Sequence, residues 1–258
     1  MRLLPIVTTL ACALAGHRAS VFGSEPSVAP VLVEMFTSEG CSSCPPADAW
    51  LQQLDASQPI PNAQLIVLSE HVDYWNHDGW KDPFSSHILT ERQFAYVRAL
   101  HLREAYTPQM VVDGSSEVQG NDPARVTQVF QMAATATKVS MRITSVSVDG
   151  TTHVLRARIE ADGGTEMAAA DVYAAVALNR AESQVLHGEN GGRHLTYVAV
   201  LQELAKIGKL EKGKGFRRDF QRKLNPGDDP SNLRIIAFVQ ESGPGRVLGA
   251  TLKKAPFQ

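Results

Sequence analysis

The stretch that most constrains this chain runs from Val31 to Asp48: an apolar segment stops at Gly40 and then presents Cys41 and Cys44, three residues apart. Val31 to Phe36 is β-branched and aromatic enough to form a buried strand. Ala47, Trp50, Leu51 and Leu54 then recur at the spacing of one helical face. A strand that ends in a glycine turn and feeds a helix is expected to leave Cys41 at the edge of a sheet, open to solvent, in the partial positive charge of a helix N-terminus. Such a field lowers a thiol pKa from about 8.5 into a range of roughly 3.5 to 7.5, which makes Cys41 the expected nucleophile. Cys44, one helical turn on, is placed to resolve a mixed disulfide formed at Cys41. Pro45 and Pro46 work against the field, because each lacks an N–H and disfavours helical geometry in the residue before it.

The second informative stretch is Tyr106-Thr107-Pro108-Gln109-Met110-Val111-Val112-Asp113-Gly114, a Thr-Pro step followed by a short apolar strand and an Asp-Gly turn suited to a hairpin. Proline is the residue for which a cis peptide bond costs little. Together with Cys41-Ser42-Ser43-Cys44, this stretch resembles the cis-proline loop and active-site motif of the thioredoxin superfamily. The resemblance implies that the Thr107-Pro108 loop packs against the cysteines and that Thr107 offers its backbone to an extended substrate. It also implies a buried acid on the preceding strand that moves protons for the resolving thiol. Glu34 is the expected acid, one position further from Cys41 than the superfamily pattern places it. The His71-Val72-Asp73-Tyr74-Trp75, Gly79-Trp80-Lys81-Asp82-Pro83-Phe84 and His187 to Arg193 blocks extend the likeness to an uncharacterised family of exported bacterial thioredoxin-like proteins.

With 258 residues, 43% of them apolar, the chain can bury a substantial core. A formal charge of −2 shows no basic excess, so nucleic acid is not an expected partner. Met1-Arg2, the apolar run Leu3 to Ala15 and then His17-Arg18-Ala19 read as a secretory signal peptide over residues 1–19, too short to span a bilayer, with a leader over 20–30. Cleavage near Ala19 would remove Cys12 and leave Cys41 and Cys44 with only each other to pair with. The expected location is therefore periplasmic or secreted, with no integral membrane segment once the signal is removed.

Further along, Leu65 to Leu68 reads as a second strand parallel to the first. Glu70 to Phe84 mixes His71, Asp73, Trp75, His77, Trp80 and Asp82 without a period and reads as a long ordered loop, followed by helical spacing from about Ser86 to Ala105. Residues 70–105 are thus expected as an insertion in a thioredoxin-like domain over 31–138. Beyond Lys138 short strand-like runs alternate with Asp149-Gly150, Asn225-Pro226-Gly227 and Gly243-Pro244-Gly245, the pattern of a β-sandwich. Tyr197 to Ile207 fits either helix or strand. The expected fold class is an α/β thioredoxin-like domain followed by a mostly β, sandwich-like domain over 139–258.

The function these motifs imply is an exported thiol-disulfide oxidoreductase acting on protein or small-molecule thiols and disulfides, with no cofactor. Cys41 attacks, Cys44 resolves, Glu34 moves protons, Thr107 and Pro108 present the substrate, and Trp75 and Trp80 form an apolar ledge for it. The alternative is a copper or zinc chaperone, or a partner-binding module, with Cys41, Cys44 and His71 as ligands. His187-Gly188-Glu189-Asn190-Gly191-Gly192-Arg193 lacks the lysine of a phosphate loop and reads as an inter-strand loop.

Overall fold

The apolar run at the start of the chain becomes β1 (Ala29–Thr37), whose last seven residues are buried without alternation, as in a central strand covered on both faces. A computed structural model describes residues 28–77, 79–120, 122–164 and 168–257; the expected signal peptide, most of the leader and Asp78 lie outside them. After β1 come α1 (Pro45–Ser57) and β2 (Ala63–His71), which runs parallel to β1 from Ala29↔Ala63 to Thr37↔His71. The long loop leads to α2 (His87–Ala99), capped by Ser86, whose hydroxyl accepts from Ile88 N at 3.3 Å. The hairpin β3 (Gln109–Val112) and β4 (Ser116–Gln119) adds to the other edge of β1, and α3 (Pro123–Ala134) follows with Asp122 as its cap.

The remaining strands are β5 (Met141–Asp149), β6 (Val154–Asp162), β7 (Ala170–Gln184), β8 (His194–Leu210), β9 (Gly215–Lys223), β10 (Leu233–Gln240) and β11 (Val247–Lys254). They do not all form a domain of their own. One eight-stranded mixed sheet runs in the order β11-β10-β7-β8-β2-β1-β3-β4, while β5, β6 and β9 make a separate antiparallel sheet. The expected α/β thioredoxin-like domain followed by a sandwich-like domain is therefore corrected: among the described residues the chain is mostly β, with eleven strands to three α-helices. The joint is β8, which pairs with β7 along its length and with β2 at Ser69↔Val200. Sequence left this segment undecided because Tyr197 to Leu201 is buried on every residue, and bulges interrupt the β7–β8 ladder between Val172 and Tyr173 and between Val176 and Ala177.

Each face of the large sheet has its own cover. Val31, Val33 and Met35 point to Ala47, Leu51 and Leu54 of α1 and Val126, Val129 and Phe130 of α3. Leu32 points the other way, toward Leu89 of α2 and Ile236 and Phe238 of β10. The small sheet packs Leu155, Ile159 and Phe220 on Val172, Val176, Ile235 and Val239, so a sheet-on-sheet layer exists, but one of its two sheets is the one that begins the chain. Arg234 of β10, only 2% exposed, clamps Asp55 of α1 through two hydrogen bonds of 3.0 and 3.1 Å, and Lys254 adds a third at 2.8 Å. Burial alone would raise Asp55, yet these two cations hold it below the ordinary carboxylate value.

Candidate functional site

Cys41 and Cys44 are joined in a disulfide at the start of α1, with Cα atoms 5.4 Å apart. Cys44 is the N-cap residue, and Pro45 and Pro46 occupy the first positions of the helix. The helix starts directly at Pro45; the two prolines remove two N–H groups, and those of Ala47 and Asp48 are already spent on Cys44 O at 2.9 and 3.0 Å. The field aimed at Cys41 is correspondingly weak. Gly40 is required beside the pair, because a Cβ there would come within 2.9 Å of the Trp75 Cβ and 3.1 Å of its carbonyl oxygen.

The structure brings the proline loop to the cysteines. The Thr107–Pro108 bond is cis. Ser43 Oγ lies 3.4 Å from Cys41 Sγ and donates to Thr107 O at 3.5 Å, while Trp75 Nε1 donates to Thr107 Oγ1 at 2.8 Å. Trp80 is turned elsewhere: its Nε1 donates to Glu39 Oε2 at 2.6 Å, and its ring packs with Phe84 on Ala181, Val185 and Tyr197, which anchors the loop to the body.

The expected exposure of Cys41 is corrected: it is 1% exposed and Cys44 is 0% exposed, whereas Ser42 and Ser43 between them are exposed. Part of the cover comes from the glycine-rich loop between β7 and β8. Asn190 Nδ2 donates to Glu39 O at 2.8 Å and Cys41 O at 2.9 Å, and Glu189 Oε2 accepts from Ser42 N at 3.1 Å. The stretch is the inter-strand loop its composition implies, and its asparagine among glycines is the signal for the contact with Cys41 O.

Glu34 is not brought to the sulfurs. Strand alternation puts it on the α2 face of β1, opposite α1, where Arg92 Nε and Tyr96 Oη each donate to one of its oxygens at 2.6 Å. The buried acid on the cysteine side is Asp48, four residues after Cys44 on the same helical face and 4% exposed. Thr37 Oγ1 donates to its Oδ2 at 3.1 Å, and its Oδ1 has no partner. Burial first, and then the charges of Asp82 and Glu39, push it up to about 7 against the pull of His71 and the Thr37 hydrogen bond.

His71 ends β2 beside Thr37 and donates from Nδ1 to Asp82 Oδ2 at 2.7 Å. Burial would lower it, but the charge and hydrogen bond of Asp82, helped by Asp48 and Glu39, raise it. Asp82 is held below its ordinary value despite burial by the charge and hydrogen bond of His71 and by the backbone N–H groups of Glu39 and Phe84. With His71 committed to Asp82 and both sulfurs in a disulfide, the expected alternative ligand set does not assemble. Among the described residues no group of three or more His, Cys, Asp or Glu is arranged to hold a metal ion.

Fold and site together define a class: a mostly β chain whose eight-stranded mixed sheet carries a covered CxxC disulfide against a cis-proline loop. Residues 32–240 match the model of the family described as "Protein of unknown function (DUF1223)", and the chain belongs to that family. Among solved structures it is similar to the X-ray crystal structure of protein AGR_C_4864 from Agrobacterium tumefaciens, at 26% identity and a TM-score of 0.67 over 87% of this chain and 93% of that one. HBP35 of Porphyromonas gingivalis shares the fold at 14% identity and a TM-score of 0.65, covering 88% of this chain and 76% of that one. No curated protein matches the sequence.

Proposed function

We propose that the chain is an exported thiol-disulfide oxidoreductase in which Cys41 exchanges with a protein or small-molecule dithiol, Cys44 resolves and Asp48 handles the proton. The observation that carries this reading is the disulfide held against the Thr107–Pro108 loop through Ser43, since that contact offers a backbone edge beside the reactive sulfur. The motif-level resemblance of these two loops to thioredoxin active sites supports it independently of the architecture.

In the oxidising direction a substrate thiolate attacks Cys41 Sγ. The Cys41–Cys44 bond breaks, a substrate–Cys41 disulfide forms, and Cys44 leaves with the electron pair and takes a proton from the Asp48 carboxylic acid. A second substrate thiolate then attacks the substrate sulfur, closing the substrate disulfide and releasing Cys41 as thiolate. Two electrons pass from substrate to protein, and the reverse sequence reduces a substrate disulfide. The sulfur–sulfur bond itself accepts both electrons as it breaks, so the exchange as written balances without a separate electron carrier.

Access requires a local opening, since Cys41 is buried and Asn190 of the 187–193 loop ties down its carbonyl. An oxidising compartment suits a protein whose chemistry depends on a standing disulfide, and the Leu3 to Ala15 run supports periplasmic or secreted placement. Among the described residues no helix is long and apolar enough to cross a membrane. The test is Cys41→Ser: it should abolish dithiothreitol-coupled insulin reduction and disulfide transfer to a reduced client, and full activity in that variant would remove Cys41 from the reaction.

A further inference from the structure

We propose that the buried His71–Asp82 pair is a positioning element for this chemistry, holding a fixed positive charge beside Asp48 so that Asp48 can release and recover the proton exchanged with Cys44. The inference rests on the oxidoreductase reading and deepens it, giving a task to two residues that touch neither substrate nor sulfur.

The geometry is built by strand register. Thr37 and His71 are partners at the ends of β1 and β2, so their side chains stand next to one another on one face, with the strands about 4.8 Å apart. Thr37 passes a hydrogen bond to Asp48 from α1, which brings the carboxyl over the imidazole's side of the sheet. His71 and Asp82 are 0% and 1% exposed. Asp82 is fixed further by Glu39 N and Phe84 N, both at 2.9 Å, so the pair cannot swing away. The imidazole has Phe84 and Tyr197 edge-on at 5.4 and 4.7 Å, and its Nε2 has no partner.

Charged and titratable groups face this centre from every side: Glu39 after β1, Asp48 on α1, Asp82 from the long loop and Tyr197 on β8. Burial raises Glu39, Asp48 and Tyr197 toward their neutral forms, and His71 supplies the positive charge that lowers both Glu39 and Asp48. A buried ion pair is a weak source of stability compared with well-packed apolar residues. Its place beside a half-satisfied acid, one helical turn from a resolving cysteine, gives it a use that stability does not. When the disulfide opens and Asp48 hands its proton to Cys44 Sγ, the new carboxylate is met by a cation already in place. In the reverse step the same carboxylate takes the thiol proton back.

The experiment is carboxyl-carbon NMR titration of Asp48 and imidazole-nitrogen NMR of His71 in the full oxidised chain, for the wild type and for His71→Asn, whose amide preserves the hydrogen bond to Asp82 without the charge. His71 should be an imidazolium at pH 7 in the wild type. In His71→Asn the Asp48 midpoint should rise by about one pH unit or more, and disulfide exchange at pH 7 should slow about tenfold. In an Asp48→Asn background, His71→Asn should have no further effect on the exchange rate. A neutral His71 at pH 7 in the wild type overturns the proposal even if the variant does not fold, and so does an unmoved Asp48 midpoint. A wild-type protein that exchanges no disulfide while Asp48 still responds to His71 would overturn the proton-exchange role through the oxidoreductase reading it rests on, not through the electrostatics.

Discussion

Two carboxylate clusters lie on opposite faces of β1 and β2, and they are built to different ends. On the α2 face Glu34 and Glu70 share Arg92, which also lies over the Tyr96, Tyr173 and Phe238 rings at 5.1, 5.9 and 5.6 Å. Glu34 has both oxygens bonded, and Gln240 ties Tyr96 Oη to Gly245 O through bonds of 2.8 Å. Glu70 lies 3.7 Å from the same guanidinium with neither oxygen hydrogen-bonded, and burial followed by the neighbouring Glu34 raises it well above the ordinary range. On the α1 face Asp48 and His71 each keep an unpartnered atom, and Asp48 is poised at about 7. On the α2 face the cation is bonded directly to Glu34, whereas on the α1 face His71 is bonded to Asp82, which leaves Asp48 to the proton exchange proposed above.

The comparison breaks most severely at its cation. Arg92→Met takes away the cation bonded to buried Glu34 and should cost about 3–5 kcal/mol in urea unfolding, while folded molecules keep their rate of disulfide exchange. Asp48→Asn should do the reverse, slowing exchange about 100-fold at neutral pH. It should also stabilise the oxidised chain in a pH-dependent way. The folded value is raised from 3.8 to about 7, so between those limits the folded chain holds a proton that the unfolded chain has lost, and wild-type stability falls as pH climbs through the window. The advantage of Asp48→Asn should be absent below about pH 4 and reach on the order of 4 kcal/mol above pH 7, read by urea unfolding across that range.

Smaller effects sharpen the contrast. Glu34→Gln should weaken the α2-face network by about 2 kcal/mol and leave the exchange rate untouched; a slowed rate would return the proton role to the residue first expected to hold it. Asn190→Ala removes two hydrogen bonds from the cover of Cys41, costing about 1–2 kcal/mol, and should make the disulfide open faster with dithiothreitol.

Much of this was legible from sequence because it is local. The apolar run of β1, the one-face spacing of α1 and the Asp113-Gly114 hairpin turn follow from residue chemistry within a few positions. The strands β5, β6, β9, β10 and β11 lie close to their turn-bounded runs. What escaped was set by distant pairing. Val200 meeting Ser69 joins the late strands to the first sheet, and no local signal marks it. The same holds at the site: Glu34 lies nearer in kind to the expected acid, but strand parity turns it away from α1. Asp48 has no local mark of its role, although its four-residue spacing from Cys44 is a signal. Asp82 and Asn190 reach Glu39 across separations of 43 and 151 residues, which only the folded chain reveals.

The central claim is that a covered disulfide nevertheless opens and closes in the native protein. It is tested most directly by equilibrating the chain with graded mixtures of reduced and oxidised dithiothreitol at pH 7 and trapping free thiols for mass spectrometry. The expected result is a reversible two-electron transition with the fold retained and the mixed disulfide formed at Cys41. A disulfide that stays closed until denaturant unfolds the chain would contradict it.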